Sequence, residues 1–445
     1  MPTKYHSARR VCPWYIRQMW KKPGTPVPID PSQVVVGLYI WLDISWVDHP
    51  FLTSRILVTT EKEISLIRAH HVEGKLYYYP EMSKVVPPPP SVPKAQTAEE
   101  QSAAAQAQAA LLEESKALEQ AKKRKIQAQR DAVTRADRAW ENAASATREA
   151  LLTLARSPKS AGAQLSQLSR QTASAIAKGQ EILLHLLGDK QGQGPQFHAL
   201  NVMTLCMLVA KQAGLNEREL ADLALAALAH DGGKAEIPAA ILQNPARKKF
   251  EEDFYRQHVQ FSVQFAKLAG AFSPEALAII ADHHECIDGS GWPAGKKEIS
   301  RAARILALVN RYDRLCTPEA PGREALMPSE ALATLFRVHA GKYDKGLLST
   351  LIKLLGVYPP GTVVQLSDGS LALVVSPGVS SLQPRVVIYS PESPRDEAPA
   401  LDLAEEPGLK ITEAIRPSTL PPEVLEWLNP QRRLSYFFSV SGPSE

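Results

Sequence analysis

The sequence predicts a mainly α protein with a helical bundle core, a small α+β N-terminal domain, a long helix and a small β-rich C-terminal module. Residues 94–157 contain no Gly or Pro and are rich in Ala, Glu, Gln, Lys and Arg, a composition typical of a long helix. Residues 160–356 keep the apolar spacing of helices, which predicts the bundle. From residue 362 onward the pattern changes to the two-residue alternation of strands.

The bulk properties exclude several classes of protein. The chain has 445 residues, is 44% hydrophobic and carries a net charge of +4, which gives no reason to expect DNA binding. Its four cysteines show no paired spacing, which argues against a disulfide framework and a zinc ribbon and fits a reducing compartment. No run of 18 apolar residues and no apolar signal core occurs, so we expect a cytoplasmic protein without membrane contact.

The small domain is expected at residues 27–86, after a basic arm at residues 1–26 that we expect to be disordered. "VVVGLYIWLDIS" predicts one strand, "KLYYYP" predicts another, and "TEKEISLIRAH" between them predicts a short helix with Thr60 as its N-cap. A proline-rich spacer ending at Pro93 then separates this domain from the long helix.

The long helix, residues 94–157, carries a heptad stripe. The stripe residues fall seven apart: Ile126, Val133, Trp140, Thr147 and Leu154. Such a stripe indicates either a homodimer through a coiled coil or a helix that packs on the domains of its own chain, and the sequence leaves both open.

The C-terminal module is expected at residues 357–445. "TVVQL" and "LALVVS" flank "SDGS", which predicts a hairpin, and "RVVIYS" predicts a third strand. Residues 390–425 are rich in Pro and acids, and we expect them to form an irregular surface segment.

One segment of the bundle carries residues suited to metal binding. "NERELADLALAALAHDGGK" predicts a helix with a capping box of Asn216 and Glu219. It delivers His230 and Asp231 at its C-terminus, and an imidazole beside a carboxylate is a good metal-ligand pair. Because adjacent helical side chains diverge by roughly 100°, Asp231 suits a bridge toward a second ion. Lys234 is expected to meet a substrate phosphate with a free ammonium group, the alternative being a salt bridge to Glu236.

Further histidines lie on three other predicted helices. They are His198, His258, His283 and His284. Together with His230 and Asp231 they offer five imidazoles and one carboxylate on four helices of one bundle, and bundle cores are a usual place for dinuclear sites.

The ordered motifs resemble those of the HD-GYP branch of the HD phosphohydrolase superfamily. The chain has H(x31)HDxGK, H(x24)HHE and DGSGWP, with Trp292 where the family has Tyr, and the resemblance covers about residues 180–356. It implies a centre of two divalent ions, iron, manganese or similar, that hydrolyses cyclic di-GMP. It also implies partners among signalling proteins such as those with GGDEF domains. Residues 27–80 resemble a small domain that often precedes this module.

The resemblance also implies roles for individual residues. The metal ligands are His198, His230, Asp231, His258, His283, His284 and Asn310. Asp231 and Lys234 are the expected catalytic residues, and Lys234, Asp313 and Arg323 the expected substrate-binding residues. Glu285 supports the metal ligands or caps its helix. The motif loop, which we expect to hold its conformation or meet partners, contains Asp288, Gly289, Gly291, Trp292 and Pro293.

Three positions depart from the family pattern. Asn310 stands where the family has a metal-binding Asp in a VDVFDAL-like segment, and Glu319 lies near the place of a phosphate-contacting Arg. Gly194 replaces an additional family Glu, so we expect two metals and not three.

Three functions agree with these residues. The first is metal-dependent hydrolysis of cyclic di-GMP in signal transduction, in which activated water attacks a phosphorus while the ions and Lys234 hold phosphate oxygens. The second is a degenerate module that binds nucleotide or protein partners without turnover, which Asn310 and Glu319 favour. The third is a phosphohydrolase of another nucleotide.

Overall fold

A computed structural model describes residues 25–44, 48–51, 54–69, 74–90, 98–177, 194–320, 322, 325–391, 395, 398, 400–406 and 408–429. The expected basic arm falls almost entirely outside these residues. The chain divides into two units, residues 1–129 with 390–398 and residues 130–389 with 399–445, so that the boundary lies inside the long helix.

The first unit contains a small antiparallel sheet covered by one helix. Its elements are β1 (Val27–Pro28), β2 (Tyr39–Leu42), β3 (Arg55–Leu57), α1 (Glu61–Ala69) and β4 (Leu76–Tyr78). The strand order is β1-β4-β2-β3. Ile64 and Ile67 of α1 share one buried cluster with Ile40 and Leu76 of the sheet, so the helix packs on the sheet by its apolar face.

The strand predicted for "VVVGLYIWLDIS" is shorter than expected. β2 begins only at Tyr39, because Gly37 turns the chain with φ +99°, a left-handed conformation that favours glycine. Val34 and Leu38 are nevertheless fully buried, so the apolar run fills the core without extending the strand.

The long helix is confirmed as α2 (Ala98–Thr153), with 56 residues. Within the first unit, Lys62 forms an ion pair with Glu114 at 2.8 Å. Lys122 donates from its Nζ to the backbone oxygens of His49, at 3.3 Å, and Phe51. Burial lowers the pKa of the Lys122 ammonium to about 7. The ion pair of Lys62 and the hydrogen bonds of Lys122 therefore hold the first half of α2 against the sheet domain.

In the described part of the second unit, ten helices precede the C-terminal sheet. They are α3 (Pro158–Ala177), α4 (Pro195–Gln212), α5 (Glu217–Ala229), α6 (Ala239–Leu242), α7 (Lys249–Arg256), α8 (His258–Ala269), α9 (Pro274–Ala281), α10 (Arg301–Cys316), α11 (Pro328–Arg337) and α12 (Lys345–Leu355). Residues 198–210 of α4 are all buried, which makes α4 the central helix of the bundle. The predicted capping box of α5 is present, with Asn216 and Glu219 each accepting the backbone N–H of the other.

The end of the heptad stripe is buried within the second unit. The buried positions of α2 include Trp140, Ala143, Thr147 and Ala150, and Leu154, directly after the helix, is buried as well. Trp140 stacks on Phe197 of α4 with ring centroids 4.9 Å apart. For this part of the stripe the structure favours packing on the chain's own domain, the second of the two alternatives; the side chain of Val133 lies outside the described residues.

The C-terminal module is a five-stranded antiparallel sheet followed by a short helix. Its elements are β5 (Val363–Leu366), β6 (Leu371–Ser380), β7 (Gln383–Ile388), β8 (Ala400–Asp402), β9 (Ile411–Ile415) and α13 (Pro422–Leu428). The strand order is β8-β7-β6-β5-β9. The predicted hairpin is confirmed, with Gly369 at φ +86° in its turn.

The expectation of an irregular segment at residues 390–425 is wrong in part, because β8 pairs with β7 and β9 pairs with β5. Both strands depend on these distant partners and have little strand pattern of their own. None of the helices in the described part of the chain combines the length and apolar character that crossing a bilayer requires.

Candidate metal centre

Six side chains from four parts of the bundle converge at one place. They are His198 of α4, His230 and Asp231 at the end of α5, His258 at the start of α8, and His283 and His284 just after α9. Their ligand atoms form two groups, each within 4.8 Å: Asp231, His258, His283 and His284 in one, and His198, His230 and Asp231 in the other. Asp231 belongs to both groups, as expected of a carboxylate between two ion positions.

Two glycines after Asp231 allow neighbouring elements to approach the turn closely. A Cβ at Gly233 would lie 2.2 Å from the backbone oxygen of His258, and the Gly233 N–H donates to Ser262 Oγ at 2.8 Å. A Cβ at Gly232 would lie 2.6 Å from Cδ2 of Leu154, at the end of the long helix. The His-Asp-Gly-Gly sequence therefore packs directly against α8 and against the chain leaving α2.

Three of the histidines are oriented by the backbone of the preceding turn. The Nδ1 atoms of His230, His258 and His283 each lie 2.7 Å from a carbonyl oxygen three residues earlier in the chain. With Nδ1 donating, the lone pair of each ring is on Nε2, which is the atom that lies among the other ligand groups.

His198 is held by a carboxylate instead of a carbonyl. Its Nδ1 lies 2.6 Å from Oδ2 of Asp313, whose Oδ1 accepts from Asn201 Nδ2 at 3.3 Å. The expectation that Asp313 binds substrate is therefore corrected. Its carboxylate is buried and used by these two residues of α4, so its role is to orient the His198 ring.

Burial favours the neutral form of four of the imidazoles. It lowers the pKa of His230, His258 and His283 to about 3, and it lowers the pKa of His284 well below the usual range. Neutral imidazole is the form that binds metal, so the site is already in the protonation state required of ligands near pH 7.

The donor set fits a divalent ion. In the described part of the chain, five buried polar atoms of this site lack a hydrogen-bond partner: Oδ1 of Asp231, Nε2 of His258, His283 and His284, and Oδ1 of Asn310. Buried polar atoms are rarely left unpaired, and nitrogen and oxygen donors of this kind suit iron, manganese or zinc. The Nε2 of His258 lies 3.4 Å from Oδ1 of Asp231, close enough for one ion to contact both.

The other oxygen of Asp231 belongs to a cluster of charges. Lys234 Nζ lies 2.9 Å from Oδ2 of Asp231 and 2.8 Å from Oε1 of Glu319. Arg314 also donates to Oδ2 of Asp231 and lies 3.6 Å from Glu319. Tyr255 donates to the second oxygen of Glu319 at 3.1 Å. The ammonium of Lys234 is thus shared between two carboxylates.

The salt-bridge partners of Lys234 are Asp231 and Glu319 instead of Glu236, and a contact of its ammonium group with substrate stays a prediction. Burial would raise the pKa of the Glu319 carboxyl, but Lys234, with Arg314, lowers it to about 2. Glu319 is therefore a permanent anion, and it holds Lys234 against Asp231.

The motif loop supports His284. A Cβ at Gly291 would lie 2.3 Å from the backbone nitrogen of Cys286, so only glycine allows this crossing of the chain. The buried carboxylate of Glu285 accepts the N–H groups of Ala294, at 2.7 Å, and Lys296, at 2.9 Å. Trp292 is thereby placed over the ring of His284, with centroids 4.0 Å apart.

The other residues of the loop contribute to its conformation. Asp288 is exposed and accepts the N–H of Ser290 at 2.9 Å, Gly289 has φ +80°, and the Trp292–Pro293 peptide bond is cis. These features define the backbone conformation of the loop, and its contact with partners stays a prediction.

A cavity of about 480 Å³ opens beside the histidines. His283, His284 and Asn310 contribute to its lining, and so does Arg314, which the sequence reasoning missed. No local signal marks Arg314, because its partner Asp231 is 83 residues away in the chain. Arg323, expected to bind substrate, lies outside the described residues.

Comparison with known proteins gives two family matches. Residues 181–347 match the HD domain, and residues 27–164 match a domain of unknown function (DUF3391). The second match extends beyond the small domain expected at residues 27–86 and includes the whole long helix.

Several curated proteins are similar to part of the chain. A cyclic di-GMP phosphodiesterase of Pseudomonas aeruginosa is 29% identical over 51% of this chain and 56% of its own. A cyclic di-GMP phosphodiesterase response regulator of Xanthomonas campestris is 32% identical over 33% of this chain and 39% of its own. A 3'3'-cGAMP-specific phosphodiesterase of Vibrio cholerae is 31% identical over 36% of this chain and 35% of its own. The chain thus spans about half or less of the length of these relatives.

Among solved structures, an HDG"Y"P protein of Bdellovibrio bacteriovorus aligns over 74% of this chain and 97% of its own, with 18% identity and a TM-score of 0.39. The HD-domain match covers the helices that carry all six converging side chains, and the ordered HD, HHE and DGSGWP motifs lie within it. Residues 181–347 therefore belong to the HD domain family, and the order of their motifs is the one expected for its HD-GYP branch.

Proposed function

We propose that the chain is a metal-dependent phosphodiesterase that hydrolyses a cyclic dinucleotide, with cyclic di-GMP as its substrate. The observation that carries this proposal is the convergence of five imidazoles and one carboxylate beside a cavity, with four of their ligand atoms unpartnered. Relatives named as phosphodiesterases of cyclic di-GMP and of 3'3'-cGAMP support the substrate class.

Different residues of the site would bind the metal ions, contact the phosphate and balance charge. His198, His230, Asp231, His258, His283 and His284 would hold two divalent ions, and Asn310 offers one further oxygen. Bound ions supply Lewis acidity toward the phosphodiester and the attacking water. Arg314 lines the cavity beside Asp231, so its guanidinium can meet a phosphate oxygen as negative charge develops there. The positive charge of Lys234 offsets the negative charges of Asp231 and Glu319.

A specific observation favours a second candidate, binding of the nucleotide without turnover. Asp231 shares one oxygen with Lys234 and Arg314, and position 310 offers a neutral amide. Both features weaken the negative charge available to metal ions, because a carboxylate paired with cations is a poorer donor and an amide brings no charge.

Turnover by anaerobically purified protein separates the two candidates. With added Mn²⁺ or Fe²⁺, cyclic di-GMP should be converted to a linear dinucleotide or GMP, detected by chromatography. Asp231→Asn should lower turnover by more than the roughly 10- to 100-fold typical of losing a group that only supports a ligand. The exposed Asp253→Asn is the matched control and should leave turnover within about twofold of wild type.

Binding of cyclic di-GMP without turnover at any metal concentration would contradict the phosphodiesterase proposal and support the second candidate. A panel that includes 3'3'-cGAMP and linear dinucleotides tests the choice of substrate. Faster cleavage of another nucleotide than of cyclic di-GMP would favour the third function.

A further inference from the structure

The cavity beside the metal centre has a second group of basic side chains. Arg311, His339 and Lys342 line it together with Arg314 and the histidines. Arg311 lies on α10, one turn before Arg314, and residues at this spacing lie on the same side of a helix. His339 and Lys342 lie in the segment between α11 and α12. We call Arg311, His339 and Lys342 the distal basic group.

The four arginine and lysine side chains that line the cavity in the described part of the chain differ in their partners. Arg314 is paired with Asp231 and Glu319, and Arg247 lies 3.6 Å from Glu252. Arg311 has no described carboxylate within ion-pair distance; it donates to Nε2 of His339 at 3.3 Å. Lys342 likewise forms no ion pair with a described carboxylate. Arg311 and Lys342 therefore form no ion pair with a described residue, and the exposed carboxylate of Asp288 interacts with Lys342 only from beyond ion-pair distance.

The distal basic group is held in place by backbone hydrogen bonds. The N–H of Lys342 donates to the carbonyl of His339 at 3.1 Å, and its carbonyl accepts from Ile287 at 3.0 Å. Ile287 belongs to the loop that follows His283 and His284, so the same loop connects the metal centre to the distal basic group. Groups whose positions are fixed before binding cost less conformational entropy when a ligand arrives.

Unpaired cations in a fixed position at a cavity wall are suited to an anion. Arginine binds phosphate oxygens through its planar set of N–H donors, and lysine adds a point charge. The cavity, at about 480 Å³, lies within the size range of small-molecule sites, so it has room for more than one phosphate.

We propose that Arg311, His339 and Lys342 bind the second phosphate of a substrate whose first phosphodiester lies at the metal centre. The distal basic group then selects ligands with two phosphates, such as cyclic and linear dinucleotides, over simple phosphodiesters. This inference rests on the proposed function for the position of the first phosphate.

The test compares two probes on the metal-loaded full chain. Cyclic di-GMP carries two phosphates, and bis(p-nitrophenyl) phosphate carries one. Arg311→Gln and Lys342→Gln should each weaken cyclic di-GMP binding at least about tenfold, while turnover of the single-phosphate probe falls less than about threefold. Arg301→Gln, an exposed arginine on the same helix, is the matched control and should change neither value. Binding is measured by calorimetry, and metal content and melting temperature are measured for each variant.

The outcomes separate the inference from the proposed function. Equal losses with both probes, or unchanged cyclic di-GMP affinity in both variants, would overturn the distal basic group as a phosphate site while leaving phosphodiesterase activity intact. Selective loss of affinity in a protein that hydrolyses neither probe would support the distal basic group and contradict the proposed activity. A wild type that cleaves the simple diester but does not bind cyclic di-GMP would overturn both the inference and the choice of cyclic di-GMP as substrate.

Discussion

At position 310, an amide nitrogen in place of a carboxylate oxygen changes the ligand chemistry of the centre. Asn310 is buried, lines the cavity with His283 and His284, and its Oδ1 has no hydrogen-bond partner among the described residues. A carboxylate there would add a negative charge and a second oxygen, whereas the amide offers one neutral oxygen. The sequence alone identified this difference, because the surrounding motif fixes which position should carry an acid.

We therefore expect Asn310→Asp to tighten manganese binding by roughly tenfold or more, since affinity for hard cations follows the charge of the ligand set. Titration with Mn²⁺ followed by calorimetry measures the change. Asn216→Asp makes the same substitution at an exposed helix cap, where Asp caps as well as Asn, and should leave the affinity unchanged. Equal affinities for wild type and Asn310→Asp would place position 310 outside the ligand set.

The charged neighbours of the centre could not be predicted in the same way. The spacing of the histidines identified all six converging groups, because each motif carries its own local signal. Arg314 and Glu319 have no such signal, and their meeting with Asp231 and Lys234 depends on how α10 packs beside α5. The role of Asp313 was misjudged and the partners of Lys234 were missed for this reason, since an unseen partner decides whether a charged side chain is free.

At the scale of elements, the turn after α5 joins three parts of the bundle. The absence of a side chain at Gly233 leaves room for the backbone of α8. The absence of a side chain at Gly232 leaves room for Leu154, which directly follows α2. The difference between a backbone neighbour and a side-chain neighbour decides how a substitution is accommodated. A leucine side chain can change rotamer, but a backbone oxygen moves only with its helix.

We expect Gly233→Ala to destabilise the protein by more than Gly232→Ala, for which overpacking should cost about 1–3 kcal/mol. Gly233→Ala should also reduce metal occupancy, because the displaced oxygen belongs to His258, one of the expected ligands. Scanning calorimetry and metal analysis measure both effects. Leu154→Ala should relieve the overpacking that Gly232→Ala causes. It should not relieve the overpacking that Gly233→Ala causes. Equal destabilisation by the two glycine variants would argue against this difference in surroundings.

The success of the sequence reasoning differed between elements. The long helix and the helix after Asn216 were predicted because composition and capping act within the element itself. β8 and β9 were missed because their three and five residues gain order only by pairing with β7 and β5. The strand at Tyr39 was predicted too long because its apolar residues continue through a turn at Gly37.

At the scale of the whole molecule, α2 belongs to both units, and its stripe has two possible partners. A homodimer would need the stripe to be exposed, yet Trp140 and Leu154 are 5% and 1% exposed in a single chain. The exposed large apolar residues of α2 in the described part are Leu112, Leu118 and Leu152. Dimerisation through α2 stays a prediction for the part of the helix before Trp140, where Ile126 of the stripe is also buried, at 9% exposure.

A substitution at Trp140 distinguishes a structural role of the stripe within one chain from a role in joining two chains. Trp140 packs on Phe197 of the central helix, so Trp140→Glu removes a large buried side chain and introduces an unpaired charge. We expect a loss of more than about 3 kcal/mol in unfolding free energy, seen as a lower melting temperature, with no change of sedimentation mass in the fraction that stays folded. Leu152→Glu, on the same helix with 65% exposure, should change neither quantity. A wild-type dimer that Trp140→Glu converts into monomers of unchanged melting temperature would show that the stripe joins two chains, because a side chain buried within its own unit cannot accept a charge without losing stability.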